Sequence, residues 1–170
     1  FKKLAEYLAV PVEAHIGVQG EPLFYTEFAD LVADLSALDY VYQISTDTNG
    51  TLLTKELIDK LSSYPKLRLN ISLNTTNKTT ASKMAGANYN VPHVMEMIRY
   101  AAEKMDILIA PLYVPGYNED DELISVIEFA KTLPKKNHHI VCIQNFMNYK
   151  TGRNAAIALS WDTFREKLKK

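Results

Sequence analysis

The residues of this sequence with the clearest capacity for chemistry form a glycine–acid–proline step in the stretch VEAHIGVQGEPLFY, residues 12–25. Its alternating apolar residues end in Gln19, Gly20, Glu21 and Pro22. Glycine allows a ligand to approach the backbone closely, a carboxylate accepts hydrogen bonds from a cationic group, and proline holds the chain rigid. The same residue types also make an ordinary solvated turn. Taken alone, the pattern predicts either a turn or a small-ligand site.

Four later apolar runs also end in small polar residues, glycines or amides. These ends are STDTNG from Ser45, SLNTTNK from Ser72, VPGYNED from Val114 and IQNFMNYKTGR from Ile143. None carries a Ser-His-Asp set, a HExxH helix or a phosphate loop of the GxxxxGKT type. Individually, TNG is typical of a turn and VPGYN of a turn followed by a helix cap.

The apolar runs alternate with segments of helical periodicity, which predicts βα units and a parallel sheet with right-handed crossovers. The five predicted strands cover residues 12–18, 41–46, 67–73, 106–114 and 139–146. Ligands of such sheets bind outside the carboxyl ends of the strands, where the polar residues fall. Five units are too few for an eight-stranded barrel, so they fit either an open doubly wound sheet or part of a barrel.

Residues typical of helix N-termini mark where the predicted helices begin between these strands. Thr26, Asn118 and Ser160 are the expected N-caps, and a further helical segment starts at Thr54. Ser160 opens a C-terminal helix within residues 154–170. We find no linker and no close repeat, so residues 1–170 form one expected domain. His15, in the first strand, is interpreted as a hydrogen-bonded residue of the barrel interior.

Composition excludes several classes of protein. The 170 residues are 47% apolar and 23% charged, as in a folded domain, and the net charge of −1 gives no global basic field for nucleic acid. No apolar stretch reaches the ~20 residues of a membrane span, so we expect no membrane contact. We further expect a cytoplasmic protein. The single cysteine, Cys142, allows no internal disulfide and no cysteine-ligated cluster. We expect it to be a small buried hydrophobe.

Together, and in this order, the strand ends resemble the radical S-adenosylmethionine (radical SAM) superfamily over about residues 12–153. QGEPLF is similar to the family's Gly-Gly-Glu-Pro motif, with Gln19 in place of the first glycine. Thr48-Asn49-Gly50 resembles the end of the family's third strand, and Ser72 to Asn74 resembles its Ser-Leu-Asn signature. Val114, Gly116 and Glu119 resemble the fifth-strand motif, and IQNFMNYKTGR the sixth-strand end of iron–sulfur oxidoreductases.

The resemblance implies an α/β fold, a partial TIM-type (βα) barrel with a curved parallel sheet in which about five of six units are present. It implies S-adenosylmethionine as cofactor, with an unknown substrate and an external one-electron donor as partners. Glu21 is expected to add negative charge near the cofactor's ammonium group. The implied cofactor-binding residues are Gln19, Gly20, Glu21, Pro22, Thr48, Asn49, Ser72, Asn74, Val114, Gly116 and Gln144, although Gln144 could instead contact the substrate.

Family members hold a 4Fe–4S cluster on a Cys-x-x-x-Cys-x-x-Cys loop after their first strand, and this sequence contains no such loop. We expect the loop to precede Phe1 in an intact enzyme, of which the fragment alone would be inactive. One alternative is a non-catalytic half-barrel binding domain that has lost its cluster. Another is a phosphate-handling barrel lyase or isomerase, for which Lys150 and the adjoining TGR would be the candidate residues.

Overall fold

Four parallel strands form the central sheet of the protein. The computed structural model describes residues 2–17, 19–134, 140–151, 154 and 156–169. The strands lie side by side in chain order: β1 (Val12–Ile16), β2 (Val41–Thr48), β3 (Leu67–Ile71) and β4 (Asp106–Ile109). A second parallel pair joins β5 (Leu112–Tyr113) to β6 (Gln144–Asn145). All pairs among these strands are parallel, as predicted.

Helices occupy the connections between the strands. Their bounds are α1 (Lys2–Leu8), α2 (Phe28–Ser36), α3 (Lys55–Leu61), α4 (Lys78–Ala85), α5 (Val91–Lys104), α6 (Asp120–Lys131) and α7 (Trp161–Lys167), with a short 3₁₀ helix at Pro22–Phe24. Ser160 caps α7 as predicted, and Thr54, where a helical segment was predicted to start, caps α3. Each accepts a hydrogen bond from a backbone N–H of the first turn.

The two faces of the sheet differ in polarity, and this difference decides between the two predicted architectures. One face carries apolar side chains such as Ile44, Leu69 and Ile107, which share a buried core with residues of α2, α3, α5 and α6. The alternate residues, among them His15 and Asp47, carry polar groups that remain partly exposed. A doubly wound sheet is apolar on both faces because helices cover both. Helices on one face only are the arrangement of a partial barrel.

The predicted fourth and fifth strands are interrupted. Residues 106–114 break at Ala110 and Pro111, because proline has no N–H to donate to a sheet ladder. The fifth strand shrinks to Gln144–Asn145, preceded by an isolated parallel bridge between Ile109 and Val141. Both predictions were too long. Val18, His139, Gly152 and Arg153, which also entered predictions, lie outside the described residues.

Several local predictions were wrong. Glu27, not Thr26, precedes α2, and Glu119, not Asn118, precedes α6. Helix α4 was not predicted, because KTTASKMA is mostly polar and buries only Ala81. Cys142 is exposed rather than buried, since the strand expected to enclose it is not formed around it.

Candidate functional site

The turn after β1 depends on two glycines with left-handed backbone conformations. Gly17 has φ +91°, and a Cβ there would lie 2.4 Å from Cγ of Pro22, so only glycine fits. Gly20 has φ +81°, but a Cβ built on it meets nothing within 4 Å. The first glycine is therefore required by packing within the turn. The second leaves an open space beside its backbone into which a ligand could fit.

The carboxylate of Glu21 ties this turn to the end of β2. Its Oε1 accepts hydrogen bonds from the Thr48 hydroxyl at 2.6 Å and from the Leu23 backbone N–H at 3.2 Å. Its Oε2 accepts one from the Asn49 backbone N–H at 2.8 Å. All three donors are uncharged, so these bonds do not cancel the negative charge that Glu21 was predicted to add near a ligand. The oxygens of Glu21 are engaged by donors of the protein, and their effect is to hold the turn in place.

The end of β2 is a second rigid turn. The Asn49 carboxamide oxygen accepts from the N–H and the hydroxyl of Thr51, at 2.9 and 2.6 Å. The Asn49 carbonyl accepts from the hydroxyl of Tyr89 at 2.7 Å, and burial raises the pKa of that phenol. Gly50 has φ +76°, and a Cβ there would lie 3.0 Å from Cγ1 of Val94. The TNG motif is thus a turn in its own right, fixed from several directions.

At the end of β3, two side-chain amides replace the hydrogen bonds that the break at Pro111 removes. Asn74 Oδ1 accepts from the Leu112 N–H at 2.8 Å, and Asn118 Nδ2 donates to the carbonyls of Asn74 and Leu112. Asn118 Oδ1 accepts from the Val114 N–H at 2.7 Å. Asn118, fully buried, therefore joins β3 to β5 instead of capping a helix. The carboxamide oxygen of Asn74 is occupied within the protein.

Two adjoining cavities lie along this edge of the sheet. The first, of about 440 Å³, is lined by Gly17, Gly20, Glu21, Asp47, Thr48, Asn49 and Ser72. The second, of about 270 Å³, is lined by Asn49, Ser72, Asn74, Ala81, Met84, Ala85 and Tyr89. Asn49 and Ser72 line both, so the two spaces meet there. Among the described residues, the Ser72 hydroxyl has no hydrogen-bond partner within the protein, which leaves it available to a ligand.

The structure brings together six of the predicted site residues and leaves five outside these cavities. Those that line them are Gly20, Glu21, Thr48, Asn49, Ser72 and Asn74. Pro22 packs behind the first turn on Gly17, and Gln19 is exposed beside it. Val114 and Gly116 belong to a separate loop after β5, and Gln144 is exposed on β6.

The loop after β5 is organised by Glu119. This carboxylate accepts hydrogen bonds from the Gly116 N–H and the Tyr113 hydroxyl, both at 2.9 Å, and pairs with Lys167 of α7 at 3.1 Å. The bond from Gly116, followed by those from Tyr113 and Lys167, lowers the pKa of Glu119. The acid of the predicted fifth-strand motif thus fixes its own loop.

The sequence prediction missed Asp47 and Tyr89, which line the two cavities. Asp47 could have been found from strand alternation, because it lies two residues after Ser45 on the face opposite Ile44. Tyr89 lies between α4 and α5, in a segment whose first helix was not predicted, so no signal placed it here.

The chain alone provides no site for an iron–sulfur cluster. Its one cysteine cannot supply three thiolates. In the part of the chain that the structure describes, no group of three or more His, Cys, Asp or Glu residues could hold a metal ion. Nor does any helix among these residues have the length and apolar character to cross a membrane.

Similarity to known proteins covers most of the chain. The chain is 35% identical over 162 residues to the uncharacterized protein MJ0103 of Methanocaldococcus jannaschii, covering 92% of this chain and 36% of that protein. It is 27% identical over 139 residues to a GTP 3′,8-cyclase of Aquifex aeolicus, covering 78% and 42%. The chain thus spans about two fifths of the length of these curated relatives.

Solved structures share the fold. SuiB of Streptococcus suis superposes with a TM-score of 0.74 at 15% identity, over 99% of this chain and 38% of that one. SuiB bound to S-adenosylmethionine superposes with a TM-score of 0.62 at 16% identity, over 84% and 31%. The family model of the radical SAM superfamily matches residues 1–130. The chain belongs to the radical SAM superfamily.

Proposed function

We propose that this chain is the S-adenosylmethionine-binding part of a radical SAM iron–sulfur enzyme. The observation that carries the proposal is that residues of three separate motifs line two adjoining cavities at one edge of the sheet: Gly20 and Glu21, Thr48 and Asn49, and Ser72 and Asn74. Three sequence motifs, separated by up to about fifty residues, therefore meet at one ligand-sized space. Pockets of several hundred Å³ with a few convergent polar groups are typical of cofactor sites.

The proposed cofactor fits the residues of this edge. S-Adenosylmethionine carries an ammonium group, a carboxylate, a sulfonium, two ribose hydroxyls and an aromatic purine with apolar faces. Gly20 exposes its backbone to the first cavity, where its carbonyl could accept from the ammonium group. The Ser72 hydroxyl, which lines both cavities, could bind a ribose hydroxyl or the carboxylate. Met84, Ala81 and Ala85 give the second cavity an apolar wall.

The remaining predicted residues receive supporting roles. Glu21, with Thr48 and Asn49, holds the Gly20 turn at a fixed distance from β2. Asn74 binds Leu112, so it joins β3 to the β5 loop that contains Val114 and Gly116. In this proposal the β5 loop offers backbone groups to the purine when the cofactor is bound. Gln19 and Pro22 adjoin Gly20 and Glu21 in the turn after β1. In this proposal Gln144 contacts either the cofactor or the substrate.

With a reduced 4Fe–4S cluster, bound S-adenosylmethionine supplies a 5′-deoxyadenosyl radical that removes a hydrogen atom from the substrate. In the proposed enzyme, the three cluster thiolates come from outside these 170 residues. An external donor provides the electron. The residues that line the two cavities bind and orient the cofactor, and they hold it in a fixed position relative to the polar face of the sheet.

The test uses the full-length protein, reconstituted anaerobically with iron and sulfide. Dithionite should convert S-adenosylmethionine to 5′-deoxyadenosine. Ser72→Ala should weaken cofactor binding by about 1–2 kcal/mol, since it removes one hydrogen bond. The control, Ser63→Ala, removes an exposed hydroxyl after α3 and should leave binding unchanged.

Two results would contradict the proposal in different ways. If the protein binds S-adenosylmethionine but forms no cluster and no 5′-deoxyadenosine, the non-catalytic half-barrel interpretation is correct. If Ser72→Ala and Ser63→Ala bind the cofactor equally well, the cavities at this edge are not its site.

A further inference from the structure

Two side-chain amides at the edge of the sheet that holds the cavities, those of Asn49 and Asn74, have fixed orientations. Asn49 Oδ1 accepts hydrogen bonds from the N–H and the hydroxyl of Thr51, at 2.9 and 2.6 Å. Asn74 Oδ1 accepts one from the N–H of Leu112 at 2.8 Å. A backbone N–H can only donate, so the amide atom that faces it must be the oxygen. The NH₂ group of each side chain therefore points away from these contacts.

Both NH₂ groups belong to the lining of the cavities. Asn49 lines both cavities and Asn74 lines the second. Within the part of the chain that the structure describes, neither NH₂ group donates to the protein, and neither nitrogen is enclosed by protein atoms. The backbone N–H and carbonyl of Asn49 are bound to Glu21 and Tyr89. The NH₂ group is consequently the part of Asn49 that is left to contact a ligand.

A third amide at the same edge, that of Asn118, is engaged at both ends. Its oxygen accepts from the Val114 N–H, and its nitrogen donates to the carbonyls of Asn74 and Leu112. Asn118 is fully buried, as expected for an amide whose role is structural. Asn49 and Asn74 are partly exposed and use only their oxygens for the fold. Each is thus anchored by its oxygen and presents its nitrogen to the cavities.

The strand register places a third donor beside these amides. Thr48 and Ile71 are paired residues of β2 and β3, so the residues that follow them, Asn49 and Ser72, lie opposite each other. The Ser72 N–H donates to the Thr48 carbonyl at 2.9 Å, which keeps the two strands adjacent at this point. A carboxamide NH₂ group only donates, and a hydroxyl can donate as well. Where the two cavities meet, the protein therefore offers donors that match an oxygen acceptor.

We infer that Asn49 and Asn74 bind an oxygen acceptor of the cofactor through their NH₂ groups and select for ligands that carry such an oxygen. The inference rests on the proposed function and deepens it. An ammonium group finds no free acceptor in the amide of Asn49, whose oxygen already accepts two hydrogen bonds. The cofactor carries this acceptor chemistry on its carboxylate and on its ribose hydroxyls, and the experiment separates these two sources.

The test measures equilibrium binding of S-adenosylmethionine to the full-length protein by isothermal titration calorimetry. Asn49→Asp keeps an oxygen for Thr51 but replaces the NH₂ group with a second oxygen, which repels an acceptor. It should weaken binding by about tenfold or more, and Asn74→Asp should do the same. Asn88→Asp adds the same charge at an exposed position outside both cavities, so this matched control should change binding by less than about twofold. Urea unfolding checks that each variant is folded.

Analogues of the cofactor identify the acceptor and separate a binding role from a structural one. Decarboxylated S-adenosylmethionine lacks the carboxylate, and the 2′-deoxy and 3′-deoxy analogues each lack one ribose hydroxyl. The loss of affinity in each Asn→Asp variant should disappear for the analogue without the bound oxygen, because mutation and analogue then remove the same contact. A loss of the same size for S-adenosylmethionine and all three analogues would overturn the inference, since the amides would then act only on the fold.

Two further results distinguish a failure of this inference from a failure of the proposed function. If both Asn→Asp variants bind S-adenosylmethionine as tightly as Asn88→Asp does, while Ser72→Ala binds it weakly, the proposed site is correct and the inference is wrong. If the wild-type protein does not bind S-adenosylmethionine, the proposed function is wrong and the inference is wrong with it.

Discussion

Replacing Glu21 should release the turn after β1 from β2. Glu21→Ala removes three hydrogen bonds, from the Thr48 hydroxyl and from the backbone N–H groups of Asn49 and Leu23. A net value of about 1 kcal/mol for each gives a loss of about 3 kcal/mol in the free energy of unfolding. With a denaturant slope of about 2 kcal/mol per molar urea, the unfolding midpoint should fall by about 1.5 M.

Glu21→Gln separates shape from hydrogen-bonding capacity. Its amide oxygen can still accept from the Asn49 N–H, but its NH₂ group then faces the Leu23 N–H, which loses its acceptor. The loss should therefore be about half of that in Glu21→Ala. Both variants should also bind S-adenosylmethionine more weakly, because the Gly20 backbone is no longer held beside Ser72.

Urea unfolding and equilibrium binding of the cofactor measure the two effects. Glu128→Gln is the control, since Glu128 forms only an exposed pair with Lys131, and such pairs contribute little. Wild-type stability in Glu21→Ala would refute the anchoring role of the carboxylate. Lower stability with unchanged cofactor affinity would show that the anchored turn is not part of the site.

Three other changes should follow from the same contacts. Asn118→Ala removes a buried amide with three backbone partners and should lower the free energy of unfolding by about 3 kcal/mol. Urea denaturation measures the loss, and an unchanged stability would mean that β3 and β5 do not need the link made by this amide. Gly50→Ala should lower the free energy of unfolding by about 1–2 kcal/mol in the same assay, because φ is +76° and the new Cβ would crowd Val94. Unchanged stability would contradict the requirement for a left-handed conformation at this turn. The pKa of Glu119 is lower in the folded protein than the ordinary carboxyl value of about 4.3. Its carboxylate therefore stabilises the fold fully at pH values above about 4.3, and this stabilisation is lost as the pH falls through the lower folded pKa. Glu119→Gln should accordingly flatten the acid side of the stability–pH profile, and an unaltered profile would rule out that contribution.

The sequence was most informative where local pattern and tertiary structure agree. The first three strands were found because apolar residues on their helix-covered face recur with period two, and Ser160 was identified as a cap because capping is local. The edge where the polar residues collect followed from strand order, since parallel strands end on the same side. The family resemblance then grouped Gly20, Asn49 and Ser72, which do meet at one edge.

The remaining errors involve partners that are distant in sequence. Asn118 looks like a cap until the break at Pro111 creates backbone groups that need its amide. Cys142 was expected to be buried because its neighbours are apolar, although the strand there is too short to enclose it. Each depends on pairing that no local pattern encodes.

Hydrogen–deuterium exchange of the full-length protein with and without S-adenosylmethionine tests the central claim most directly. The proposed site predicts slower exchange in peptides that cover the turn at 17–23, the TNG turn at 48–52 and the β3 end at 72–76. The α7 peptide at 161–169 lies away from both cavities and should exchange at the same rate in both samples. Protection confined to other segments, with these three turns unchanged, would show that the cofactor does not bind at this edge.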